Sequence, residues 1–323
     1  MNYKKQMKKI SLALVLLVTF ASCDSDDDNS TTVQEQTITE IAVGNENLTS
    51  LVAALQVAGL AEALNGDGPF TVFAPTNAAF SAFLTANGFS QLSDVPVDLL
   101  TQVLLNHVIS GELMAGDLST SYGNTLATTT AGENLSIYIN TSNGVRLNNV
   151  SSVTQADITA SNGVIHVVDA VIGLPSVVDF ALADPTFETL VAALTRDDLT
   201  FDYVTTLSTP NGTSPAPFTV FAPTNEAFGD LLAELGASGL SDISEPVLKA
   251  TLDHHAVAGA NVQSSSLTDN MVVGTLGGNI TINVTGGATI TDANNRVSNI
   301  IAVDVQALNG VIHAIDKVIL PPL

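Results

Sequence analysis

Histidine is the side chain best suited to proton transfer and metal binding near neutral pH, and this chain carries five, at positions 107, 166, 254, 255 and 313. Four form two pairs at nearly one separation: His107 with His255, 148 positions on, and His166 with His313, 147 on. A duplicated imidazole fits a duplicated active site or metal site, and equally a duplicated packing position. The neighbours favour packing. His107 shares the apolar face of a helical pattern with Leu100, Val103 and Leu104, and His166 alternates with Val164 and Val168 along a strand-like run. A part-buried imidazole in such a place needs a hydrogen-bond partner, commonly a backbone carbonyl or hydroxyl. The expectation is a structural role, with metal or cofactor binding and then catalysis as the alternatives. His254, matched by Asn106 in the other copy, is expected to be exposed and incidental. Neighbouring residues on a helix point about 100° apart, so His254 and His255 do not chelate one ion. No histidine is followed by glutamate, no glycine by lysine, and no G-x-S-x-G occurs. The common zinc-protease, P-loop and hydrolase-elbow patterns are therefore missing. No sequence signal pairs two carboxylates in a cleft. The reading is a non-enzyme with no catalytic, cofactor or metal residues.

The segments that position these histidines are repeated with them. "FTVFAPTN" runs from Phe70 to Asn77 and returns from Phe218 to Asn225. "SLVAAL" at Ser50 pairs with "TLVAAL" at Thr189, "NHVISG" at Asn106 with "HHAVAG" at His254, and "NGVIHVVDAVIGLP" at Asn162 with "NGVIHAIDKVILPP" at Asn309. The offset rises from 139 to 148 between Leu194 and Phe218, so the second copy carries about nine extra residues there. They include "STPNGTSPAP", which reads as a surface loop. A period this long is a domain rather than a solenoid unit of roughly 20 to 50 residues. The chain reads as two homologous domains, 37–175 and 176–323.

Within a copy, Leu48, Leu51, Val52 and Leu55 follow the i, i+3, i+4, i+7 spacing of one helix face. "PFTVFAP" reads as a strand ended by proline. Thr76 and Asn77, like Thr224 and Asn225, stand where side-chain oxygens accept from the open amides of a starting helix, and so read as N-caps. A second helix is expected over "VDLLTQVLLNHV" from Val97. "LSIYIN", "GVRLNN", "ADITA" and "GVIHVVDAVI" then alternate strand and turn. Helices early and strands late argue α+β rather than a doubly wound parallel sheet.

"FTVFAPTNAAF", "NHVISG" and "NGVIHVVDAVI" resemble, in order and spacing, the three signature segments of the fasciclin domain, and the second copy repeats all three. The resemblance covers nearly all of the chain after residue 36. It implies a twisted β-sandwich or wedge packed against a bundle of short helices, with Thr76, Asn77, His107, His166, Thr224, Asn225, His255 and His313 as structural motif residues. It also implies an extracellular adhesion module that contacts a matrix, a polysaccharide or another cell, although fold alone does not establish function. In some animal members integrin binding is ascribed to a Tyr-His segment and a Glu-Pro-Asp-Ile-Met segment. Here Asn106 and His254 replace that tyrosine, and "QADIT" keeps only Asp157 and Ile158. Integrin recognition is not carried over, and Asp157 and Ile158 stand as partner-binding candidates.

The first 22 residues read as a secretory signal, with Lys4, Lys5, Lys8 and Lys9 before an apolar run too short to span a membrane. Ala21 and Ser22 lead into Cys23, the only cysteine, in an arrangement that resembles the bacterial lipoprotein signal. Cys23 would carry the lipid, and the acidic run in 23–36 would be a flexible tether. An acidic run there resembles a surface-export tag, so display outside the outer membrane is expected, with a plain solvated spacer as the alternative. Beyond the signal, five basic residues face 32 acidic ones. Such a surface repels phosphate backbones, which excludes nucleic acid as a partner and leaves the lipid as the membrane contact. The function expected is lipid-anchored adhesion to extracellular polysaccharide, matrix or cell-surface protein. The alternative is a periplasm-facing lipoprotein that binds a small molecule, through an apolar pocket in one domain, or assists an envelope complex.

Overall fold

Thr37 opens the fold by a reciprocal cap: its hydroxyl accepts from the Glu40 amide and the Glu40 carboxylate accepts from its own amide. This cap starts α1 (Ile38–Val43). The computed structural model describes residues 35–322. The signal segment 1–22, Cys23 and all of the tether except Glu35 and Gln36 lie outside the described residues.

After α1 the first repeat runs through α2 (Thr49–Val57), β1 (Phe70–Pro75), α3 (Asn77–Ala86) and α4 (Val97–Leu105). Six strands follow: β2 (Val108–Ser110), β3 (Ser121–Thr128), β4 (Asn134–Asn140), β5 (Arg146–Leu147), β6 (Ser151–Ala160) and β7 (Gly163–Val168). The second repeat has three helices first, α5 (Val177–Ala183), α6 (Glu188–Leu194) and α7 (Tyr203–Leu207), the last within its longer segment. It continues with β8 (Phe218–Pro223), α8 (Asn225–Leu235), α9 (Glu245–Asp253), β9 (Ala256–Ala258) and β10 (Met271–Thr275). The last strands are β11 (Gly278–Asn283), β12 (Thr289–Thr291), β13 (Val297–Ala307) and β14 (Gly310–Ile315). The fold is α+β, with helices leading and strands following in each repeat.

The first seven strands close into a barrel in sequence order, sealed by the parallel pairing of β1 with β7. The second sheet has the order β10-β11-β12-β13-β14-β8-β9. Between its ends the Leu276 amide donates to the Ala256 carbonyl at 2.8 Å. In both repeats the strand quoted twice separates two cores, which is why it is apolar on both faces. Val72 and Ala74 face the helices with Leu48, Leu51 and Leu100, while Phe73 faces the barrel interior with Ile137, Ile139 and Leu147. Phe221 and Val220 divide in the same way.

The link between repeats is part of the packing. Pro175 accepts from the Leu308 amide at 2.8 Å and Ser176 caps α5. From the first repeat, Tyr122 and Tyr138 reach the second repeat's helical core, where Tyr122 meets Phe180 edge-on at 5.6 Å and donates to Asp184 at 2.9 Å. The Ser136 hydroxyl accepts from the Gln306 amide at 2.9 Å beside them. Burial together with the Asp184 carboxylate pushes the Tyr138 hydroxyl up to about 12 and Tyr122 higher still, so both stay protonated donors. The expected result for Tyr122→Ala is loss of coupling between the repeats, costing roughly 3 kcal/mol for the lost ring and the abandoned Asp184. Calorimetry should then resolve two unfolding transitions, against a single one expected for the unmodified chain. A single transition at unchanged temperature would show that this contact does not couple them.

Candidate functional site

Helix α4 ends at Leu105, earlier than the sequence pattern implies, so His107 does not sit on its apolar face. It stands just past the end, where helix carbonyls lack amide partners. Its Nδ1–H donates to the Val103 carbonyl at 2.7 Å, and Nε2 accepts from the Ile172 amide at 2.9 Å. His255 repeats this with the Thr251 carbonyl at 2.8 Å and the Ile319 amide at 2.9 Å. In each case the histidine's own carbonyl accepts from the central strand, at Phe73 or Phe221. One residue thus ties together a helix end, the strand between the cores and the segment leaving the last strand. Burial lowers both rings from 6.5 to about 4, because the interior penalises the imidazolium; they are neutral at pH 7.

The second pair does a different task. His166, fully buried and stacked on Phe73 at 5.6 Å, accepts at Nδ1 from the Asp157 amide at 3.2 Å and donates from Nε2 to the Leu113 carbonyl at 2.8 Å. His313 repeats the arrangement with Asp304 at 3.3 Å and Val262 at 2.9 Å, and burial lowers its pKa. The aspartates they hold have left-handed backbones, φ 61° at Asp157 and 59° at Asp304. Asp157 accepts from the Ala115 amide at 2.7 Å, and Asp304 from the Ser264 amide at 2.7 Å as well as its hydroxyl. His166 Nδ1 also lies 3.9 Å from the Asp157 carboxylate, but its hydrogen-bond partner is the Asp157 amide. In all four rings both nitrogens are occupied by backbone groups, which leaves none to hold a metal or move a proton.

Asp157 and Ile158 are drawn into this scaffold. The Asp157 carboxylate, 40% exposed, fastens the loop at Ala115, and Ile158 packs against the first helical core. Thr76 and Thr224 cap their own helices, accepting from Ala79 and Ala227 at 3.2 Å. Asn77 and Asn225 do not: each reaches a neighbouring helix start instead. Asn77 accepts from Ser50 at 2.8 Å and donates to Glu46, while Asn225 accepts from Thr189 at 2.8 Å and donates to Pro185. His254 is buried at 2% exposure, contrary to expectation. Its Nδ1–H returns to the Ala250 carbonyl at 2.8 Å, and its ring fills the space a side chain at Gly277 would need. The matching Asn106 is buried as well, bonded to Gly173 and Thr125.

Two staples were not legible from residue chemistry. Asn162 accepts from the Ile38 amide at 2.9 Å and donates to the Leu64 and Gly66 carbonyls, each at 2.9 Å. Asn309 does the same for Val177, Leu207 and Thr209. Thr71 and Thr219 each bridge two backbone groups of the loop that follows β2 or β9, at Gly111 and Leu113 or at Ala260 and Val262. All four residues fall inside or beside the repeated strings, which was the available signal. Polar identity between the copies marks backbone bracing.

The fasciclin domain family profile matches this chain twice, at residues 46–175 and 185–321. Protein sll1483 of Synechocystis sp. is 43% identical over 136 residues, which is 42% of this chain and 72% of that protein. Transforming growth factor-beta-induced protein ig-h3 of Sus scrofa is 31% identical over 268 residues, 80% of this chain and 35% of that protein. Human periostin is 31% identical over 265 residues, 81% and 29% respectively. The chain thus spans about a third of the length of these two animal relatives. A solved FAS1 domain pair from the insect cell adhesion molecule fasciclin I is similar at a TM-score of 0.49 and 19% identity, over 84% of this chain and 97% of that one. With most of its length matched in two consecutive units, the chain belongs to the fasciclin domain family.

Proposed function

We propose that this protein is a non-enzymatic, lipid-anchored adhesion protein of the cell surface, held at Cys23 and contacting extracellular polysaccharide, matrix or cell-surface protein through its two fasciclin domains. The observation that carries the reading is the fate of the duplicated polar residues. His107, His166, His255, His313, Asn162 and Asn309 are buried and engaged by backbone, so partner recognition falls to the exposed residues in which the repeats differ. Those surfaces are held at a fixed separation by the shared core, which favours binding to two epitopes at once. Of the five basic residues beyond the signal, Arg146, Arg196, Lys249 and Arg296 are engaged by Asn149, Asp198, Asp253 and Glu234. The resulting anionic field favours neutral glycans or cationic protein patches over polyanions. Among the described residues no helix is long and apolar enough to cross a membrane; in this reading the lipid at Cys23 provides the attachment.

Protease shaving of intact producing cells tests the reading. Loss of both domains while a periplasmic control survives is the expected outcome. Survival until the outer membrane is opened would overturn surface adhesion and favour the periplasm-facing alternative.

A further inference from the structure

The second repeat contains an apolar cavity of about 270 Å³ between α5, α6 and α7, above the central strand. Its floor is Val177, Leu190, Tyr203, Val220, Ala222 and Ile312. Its mouth is half-exposed Val178 and Ala181 with Leu182 and Val204, which are 56% and 37% exposed. Two lining residues carry side-chain hydroxyls, and both are already committed. Thr195 donates to the Val191 carbonyl at 2.8 Å. Tyr203 is tied outward to the Asp253 carboxylate at 2.6 Å and the Lys249 carbonyl at 3.1 Å. A ligand there finds no free polar group, and a polar ligand would lose its hydration without replacement.

We propose that this cavity binds one uncharged hydrocarbon-like molecule, a fused aromatic or an aliphatic chain. An apolar cavity of about 150 Å³ stays dry and takes up benzene, so by proportion this one accommodates roughly ten carbons. The apolar mouth lets such a molecule pass without crossing a polar rim. The site is particular to the second repeat's sequence. The wall of Tyr203, Val204 and Leu207 belongs to the segment where that copy is longer. In the first repeat Thr39 replaces Val178, and its hydroxyl reaches the Ala61 carbonyl at 3.4 Å, tying α1 to the segment that matches α7.

The probe is naphthalene, titrated into the full mature chain and followed by methyl NMR. The expected result is saturable binding at one equivalent, with shifts at Ala181, Leu190 and Ala222. Val178→Phe puts a ring in the opening and should weaken binding about tenfold or more by occupying the ligand's volume. Should that variant not fold, intermolecular NOEs from naphthalene to the Ala181 and Ala222 methyls of the unmodified protein decide the same question, and their absence overturns the site. Non-saturating shifts spread over the molecule, or unchanged affinity in folded Val178→Phe, would also overturn it. Since the test uses purified protein, it is independent of where the protein is displayed.

Discussion

Gly163→Ala and Gly310→Ala should each unfold the repeat that carries the change, at a cost of about 4 kcal/mol or more. A Cβ on Gly163 would lie 1.9 Å from the Phe70 carbonyl oxygen, and one on Gly310 2.3 Å from that of Phe218. The obstacle in both is backbone of the strand between the cores. That strand cannot retreat, because its Phe70 or Phe218 amide donates to the carbonyl of Asn162 or Asn309 and the strands pair in parallel from that point. Gly163 also has φ 145°, which side chains rarely adopt, so Gly310 isolates the steric part. Urea titrations read by circular dichroism give the measurement. Gly229→Ala is the control: it is exposed within α8 with nothing near its missing Cβ, and should stabilise by about 0.5–1 kcal/mol. A loss below about 1 kcal/mol in Gly310→Ala would mean that the strand pair yields more easily than close packing allows.

Mild acid should weaken the fold through His107 and His255. Well above pH 6.5 both rings are neutral folded or unfolded, and their titration adds nothing to the pH dependence of stability. Between pH 6.5 and about 4 the unfolded chain takes up protons that the buried rings refuse, so stability falls as pH falls. Below about 4 both states are protonated and this contribution to the slope ends. Each ring accounts for about 3 kcal/mol across the window. Denaturant midpoints at pH 7, 6 and 5 sample it largely before the carboxylates titrate. His255→Gln cannot take the proton; it should lower stability at pH 7, since the bridge from Thr251 to Ile319 is disturbed, yet flatten the slope. An unchanged slope in that variant would assign the acid sensitivity to other groups.

Periodicity and repetition made α2, α3, α4 and their counterparts in the second repeat, the central strand and the α+β class readable; α1, α5 and α7 are too short to show a periodic face. Of the stripe at Leu48, Leu51, Val52 and Leu55, the three leucines are buried and Val52 is half-buried against the same core. Strand β3 was not readable, because Gly123 and Asn124 carry little strand propensity and its pairing is set by neighbours distant in sequence. The apolar spacing continues through His107 although α4 ends at Leu105, because the ring stays buried while its Nδ1–H takes the Val103 carbonyl at the helix end. The burial of His254 has no local signal, because the glycine pair it packs against, at 277 and 278, lies more than 20 residues away. Tyr122 and Asp184 meet across the two repeats, where no periodic signal exists. What internal repetition does reveal is which polar residues brace the backbone, and by subtraction where a partner must be sought.

The hairpin turn at Asn162 has a mechanical consequence. The chain enters the first repeat beside it: the Ser161 amide donates to the Gln36 carbonyl, and Asn162 accepts from Ile38. A pull on the residues before Gln36 therefore arrives at the start of β7, whose six paired positions with β1 run parallel from Phe70↔Gly163 to Pro75↔Val168. The link enters the second repeat in the same way, at Leu308 and Asn309. In each repeat, force transmitted along the chain meets a braced hairpin and a parallel strand pair before it reaches the short helices. A protein held at one end and gripped at the other would yield by shearing several bonds together, rather than by peeling them one at a time.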